Sequence, residues 1–133
     1  MDVEAALEVV KGLEGVDAER LALIGASIGA DAAVDVCVQG CRGGLSLSPG
    51  NYLEVTYSNV VAEMAQDGKP AWCIAAQDDS HSAQTCDSAS GDNYRKGIYP
   101  GHEHGTNMLV PGLEPNVGQV ILDFLLLTFG ITS

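Results

Sequence analysis

The chain has 133 residues, 46% of them hydrophobic, which is enough for one core and short of two. Eighteen acidic residues against six basic ones give a formal charge of -12, so nucleic acid and anionic membrane surfaces are excluded as expected partners. The start, MDVEAALEVV, lacks the basic region and apolar run of a secretory signal, and a cytoplasmic location is the expectation.

In chain order, Val3, Ala6, Leu7, Val10 and Leu13 recur at helical spacing behind Asp2, a ready N-cap. Leu21 to Ile24 is a short apolar run, the pattern of a buried parallel strand. From Ser27 the period becomes 3.6, with Ala30, Ala33, Val34 and Cys37 on one helix face and Asp31 and Asp35 on the other. Gly43 to Gly50 reads as a strand and turn, and YSNVVAEMAQDGKP as a helix that ends near Gly68 and Pro70. AWCIAA, Ala71 to Ala76, reads as a central strand. QDDSHSAQTCDSASGDN then reads as loop, KGIY as a short strand and PGHEHGTN as a turn-rich loop. Asn116 to Phe129 closes the chain as a buried helix, too short to span about 30 Å of hydrocarbon. No repeat or long linker interrupts residues 1–133, which are expected to form one minimal α/β domain with helices on both faces of a mostly parallel sheet of about four strands.

Cys37, Cys41, Cys73 and Cys86 have no paired C-x-x-C spacing, so buried free thiols are expected, a Cys37–Cys41 disulfide being conceivable but geometrically uncommon. His81, His102, His104, Glu103, Asp78 and Asp79 could be weighed as metal ligands, but His-x-His on a loop falls short of a cage. No metal and no cofactor is expected. His81 reads as an exposed side chain at a helix start. Trp72, Phe124 and Phe129 read as core, and Tyr52 or Tyr57 could line an acyl pocket.

The chemistry-bearing stretch is RLALIGASIGADAA, where Ser27 stands inside Gly25-Ala26-Ser27-Ile28-Gly29. A chain of this glycine content yields about 0.1 chance matches to G-x-S-x-G, and this one falls at an expected strand-to-helix junction. Such a turn must be tight, which pushes the hydroxyl clear of the sheet at a positive helix N-terminus. A serine hydroxyl is a useful nucleophile only when a base takes its proton.

Together with KPAWCIAAQDDSHSA and IYPGHEHGTNML, in the order Ser, Asp, His, this stretch resembles the α/β-hydrolases, specifically their dienelactone-hydrolase-like and prolyl-oligopeptidase-like branch. The resemblance implies Ser27 as nucleophile, the Ile28 N–H as one oxyanion donor and His104 as the base. The acid is Asp79 or its neighbour Asp78, with the spacing from Ala76 favouring Asp79. It covers nearly the whole chain but only the C-terminal half of the family's domain, a truncated α/β-hydrolase fold that keeps four of the usual eight strands. The half left out holds the loop that supplies the family's second oxyanion N–H, and no HGGG-type stretch precedes Ser27.

The function expected is therefore a slow serine esterase that acts on small esters or thioesters. The alternative is a non-catalytic remnant that serves as a binding or assembly module. Without its usual neighbour the first strand becomes an apolar edge, from which a homodimer or larger homo-oligomer is expected.

Overall fold

Strands and helices alternate along residues 2–131, the part of the chain that the computed structural model describes. The elements are α1 (Val3–Lys11), β1 (Ala22–Ala26), α2 (Ile28–Gly40), β2 (Gly43–Leu47), α3 (Tyr57–Gln66), β3 (Ala71–Ala76), α4 (Ser80–Ser88), β4 (Tyr94–Tyr99), a 3-10 turn (Gly105–Met108) and α5 (Val117–Thr128). All strand pairs are parallel, in the order β1-β2-β3-β4. The expected small α/β architecture is the one found.

Strand alternation sorts the core into two layers. Ala71, Cys73 and Ala75 of β3 face Val34 and Cys37 of α2, Val60, Val61 and Met64 of α3, and Cys86 of α4. Trp72, Ile74 and Ala76 face Phe124 and Val117 of α5 together with Met108 and Tyr99. Helices thus cover both faces of the sheet. Asp2 caps α1 through a bond from the Glu4 N–H at 3.0 Å, and Asn116 caps α5 by accepting the Gln119 N–H at 3.2 Å. The C-terminal carbonyls of α2 are satisfied from outside the helix: Lys69 Nζ donates to Cys37 O at 2.9 Å and Val38 O at 2.8 Å.

Several expectations are corrected. The segment after Gln77 is not all loop, since α4 occupies Ser80–Ser88. Its inward side is built from Ser82, Ala83, Thr85 and Cys86, small residues that give almost no hydrophobic period for a sequence reading to detect. β4 begins at Tyr94, ahead of KGIY. β1 is half-buried rather than buried, because it is an edge: Ile24 is 42% exposed. Asp31 does not lie on a solvated face; it is buried.

The cysteines are not free thiols. Cys37–Cys41 and Cys73–Cys86 are disulfides, with Cα–Cα distances of 4.6 Å and 5.6 Å, and no cysteine is free among the described residues. The second pair forms because α4 folds back over β3 and brings Cys86 onto Cys73. That contact cannot be read until the helix is recognised. Among the described residues, no helix is long and apolar enough to cross a membrane.

Candidate active site

Parallel strands all exit at one edge of the sheet, and the segments leaving β1, β2, β3 and β4 meet there. Ligands of open α/β sheets bind at this edge.

Ser27 occupies the corner between β1 and α2 at φ 57° and ψ -124°, a backbone conformation that a non-glycine residue holds only under constraint. Two features hold it. The Ser27 N–H donates to Leu47 O at the end of β2 at 2.9 Å. The turn is also so tight that a Cβ on Gly25 would stand 1.9 Å from the carbonyl oxygen of Gly29. The crowding is one-sided, however: a Cβ on Gly29 would meet nothing within 4 Å. Of the two glycines flanking Ser27, only Gly25 is sterically required.

His104 comes from the loop after β4, and Asp79 from the junction of β3 with α4. His104 Nε2 lies 2.9 Å from Ser27 Oγ, and His104 Nδ1 lies 2.5 Å from Asp79 Oδ2. These contacts are mutually consistent for a neutral imidazole that carries its proton on Nδ1: Nδ1–H donates to the carboxylate, and Nε2 accepts from the hydroxyl. The Asp79 side chain is 18% exposed and that of His104 39%, so the acid is shielded while the imidazole stays open to the surface. Asp79 is the N-cap residue of α4 yet makes no capping bond with its side chain. Its carboxylate is committed to His104 instead.

The two aspartates therefore separate. Asp78 is exposed, and it is its backbone N–H that is engaged, donating to Gly101 O at 2.9 Å and joining the ends of β3 and β4. Ile28 opens α2, so its N–H belongs to the helix's first turn, whose donors have no intrahelical acceptor. Ile28 follows Ser27 directly in the chain.

A second layer of contacts fixes this arrangement, and the sequence reading missed it. The segment after β2 carries Ser48 at φ 58° and Asn51 at φ 56°. Ser48 Oγ, buried, accepts the N–H of Gly105, the residue after His104, at 2.8 Å. Asp31, one turn along α2 from Ser27, accepts the N–H groups of Gly50 at 3.0 Å and Asn51 at 2.9 Å. Burial nevertheless pushes the Asp31 carboxyl above its ordinary range, outweighing those bonds. His81, exposed on α4 as expected, donates from Nε2 to Gly50 O at 2.5 Å. One loop is thus tied to the elements that carry the hydroxyl, the imidazole and the carboxylate. A polar residue one helical turn after the serine was the available clue, and amphipathic patterning assigned it to solvent.

Tyr57 is 1% exposed and belongs to the core, so it lines no pocket; Tyr52 is exposed, its ring 5.9 Å from that of His81. Trp72 and Phe124 are buried edge to face, as a core reading requires. Phe129 is half-buried, with the Arg20 guanidinium 5.8 Å from its ring centre. Beside the corner, Ile28, Ala32 and Val36 on α2 face Leu53 and Val3 across a cavity of about 340 Å³. Among the described residues, no three of the His, Cys, Asp and Glu side chains converge as a metal ion would need.

No protein-family model matches this sequence, and no curated protein matches it.

Proposed function

We propose that the chain is a serine hydrolase of small carboxylic esters or thioesters, a relative of the α/β-hydrolases that works through an acyl-enzyme. The observation that carries this reading is the continuous line of contacts from Ser27 Oγ to His104 Nε2 and from His104 Nδ1 to Asp79 Oδ2. In the proposed reaction the Ser27 oxygen attacks the substrate carbonyl carbon while His104 Nε2 takes its proton. Asp79 stays ionised, holds the imidazole in the productive tautomer and stabilises its charged form. The Ile28 N–H donates to the oxyanion of the tetrahedral intermediate. The intermediate expels the alcohol or thiol, which leaves with the proton from His104. Water, deprotonated by the same imidazole, then attacks the acyl-serine and frees the acid and Ser27.

Only one oxyanion donor is assigned, and loss of a donor costs about 10²- to 10³-fold in turnover. Activated esters with good leaving groups are therefore the substrates of choice. Labelling of Ser27 by a fluorophosphonate, together with hydrolysis of short p-nitrophenyl esters, tests the reading. Both are expected in the native chain and absent in Ser27→Ala; native protein inert to both would overturn it.

The second reading, an assembly module without turnover, draws on the free outer edge of β1 and the exposure of Ile24 and Ile28. Self-association through this edge is compatible with either reading, and a homodimer or larger oligomer is proposed for both. Light scattering at micromolar concentration checks it, and a monodisperse monomer would rule it out. The cytoplasmic location expected from the N-terminal composition stands in tension with two disulfides, bonds that a reducing cytosol rarely sustains. Thiol titration of the protein as isolated from cells decides between the two.

A further inference from the structure

All six lysines and arginines lie toward the end of the sheet opposite Ser27, Asp79 and His104. Arg20, Arg42 and Lys69 stand in the segments that enter β1, β2 and β3, and Arg95 and Lys96 are the second and third residues of β4. Lys11 ends α1, its Nζ close to Gly40 at the far end of α2. Because every strand points the same way, these entry positions share one edge, and the exit edge receives none of them.

The exit edge carries carboxylates instead. Asp78 and Asp79 follow β3, Glu103 adjoins His104, and Asp2 lines the cavity beside Ile28. Apart from the contact of Asp79 with His104, the ion pairs among the described residues are Lys11–Glu8 and Lys96–Asp87, neither of them at this edge. Asp78 and Glu103, next in sequence to the acid and the imidazole, and Asp2, beside Ile28, thus stand at this edge without a lysine or arginine to neutralise them. A surface that carries one sign of charge raises the local concentration of oppositely charged substrates.

We propose that this site selects esters and thioesters that carry a positive charge close to the scissile carbonyl, and discriminates against those that carry a carboxylate or sulfonate. The inference rests on the serine-hydrolase reading and narrows its substrate class. Two effects act in the same direction. The field concentrates cations at this edge before chemistry begins. A fixed cation on the substrate also offsets the negative charge that develops on the carbonyl oxygen, where the surrounding carboxylates oppose it and one N–H is assigned to receive it.

The test compares acetylthiocholine with 3,3-dimethylbutyl thioacetate, in which carbon replaces the charged nitrogen, and with S-acetyl-3-mercaptopropanesulfonate. Thiol release is followed at pH 8, where an ordinary imidazole is neutral. The expected order of kcat/KM is cationic, neutral, anionic, with steps of about three- to tenfold at ~20 mM salt that shrink toward unity at ~1 M. The double variant Asp78→Asn, Glu103→Gln is expected to narrow the cationic-to-neutral ratio by at least about twofold. An anionic thioester turned over as fast as the neutral one, or an order insensitive to salt, overturns the inference while leaving the hydrolase reading intact. Absence of Ser27-dependent turnover with all three substrates overturns both.

Discussion

Ser48 Oγ accepts the backbone N–H of Gly105 at 2.8 Å, joining two residues that are 57 positions apart. The bond anchors the peptide immediately after His104, at a point where a Cβ on Gly105 would already lie 3.5 Å from that of Ala26. The imidazole is therefore located by its backbone as well as by its two side-chain partners. Ser48→Gly tolerates the positive φ and removes the hydroxymethyl group that carries the acceptor. This variant is expected to lower kcat on a p-nitrophenyl ester about ten- to a hundredfold, since misplacement by about 1 Å is enough for such a loss. KM should stay within about twofold, and a loss confined to KM would contradict the positioning role.

The adjacent aspartates give a sharp contrast. Asp79→Asn leaves the shape of the site but offers the imidazole an amide, which favours the wrong tautomer and costs about 10⁴-fold in kcat in a working triad. Asp78→Asn, with no side-chain bond to His104, is expected to cost at least about a hundredfold less. Equal losses for the two variants would remove Asp79 from its assigned role.

Asp31 gives the stability of the fold a pH dependence whose sign can be worked out. Its carboxyl is raised above the ordinary 3.8, chiefly by burial and against the pull of backbone bonds from Gly50 and Asn51. The folded chain thus holds this proton more tightly than the unfolded chain. The stability linked to it is present below about pH 3.8 and is lost as pH rises through the raised folded value. In urea unfolding from about pH 4 upward, wild type should lose stability relative to Asp31→Asn, and the difference should then level off. A wild type that gains stability relative to Asp31→Asn as pH rises would contradict the burial argument.

Cys73–Cys86 closes a loop of sequence separation 13 and pins α4, and with it Asp79 at its N-cap, to the centre of the sheet. By chain-entropy reasoning its removal in Cys73→Ala, Cys86→Ala costs about 3 kcal/mol, whereas the shorter Cys37–Cys41 loop accounts for about 2 kcal/mol. Denaturant midpoints of the two double variants measure this ordering. Since α4 carries the acid, the first pair should also lower kcat.

The elements with a strong hydrophobic period were legible from composition alone. AWCIAA is buried on both sides, as a central strand requires, whereas the apolar run of α5 marked a helix but not its burial: only Val117 and Phe124 are buried, and Leu122 and Leu127 are 48% and 52% exposed. The Ser27 corner was legible because its geometry is local: five consecutive residues determine whether the chain can turn there. The order Ser, Asp, His was likewise written in the chain.

Tertiary structure alone decided which of two adjacent aspartates meets the imidazole, because one residue of offset after β3 swings a carboxylate from His104 to solvent. It also decided that Asp31 is buried and that Ser48 supports the histidine loop, since both depend on where the segment after β2 lies across the sheet. The cysteine pairing waited on α4, a helix without an apolar stripe. The segregation of charge is the mixed case. Each cation stands at a strand entrance in the sequence, but it took parallel alignment of all four strands to gather those entrances on one edge and leave the carboxylates around Ser27 at the other.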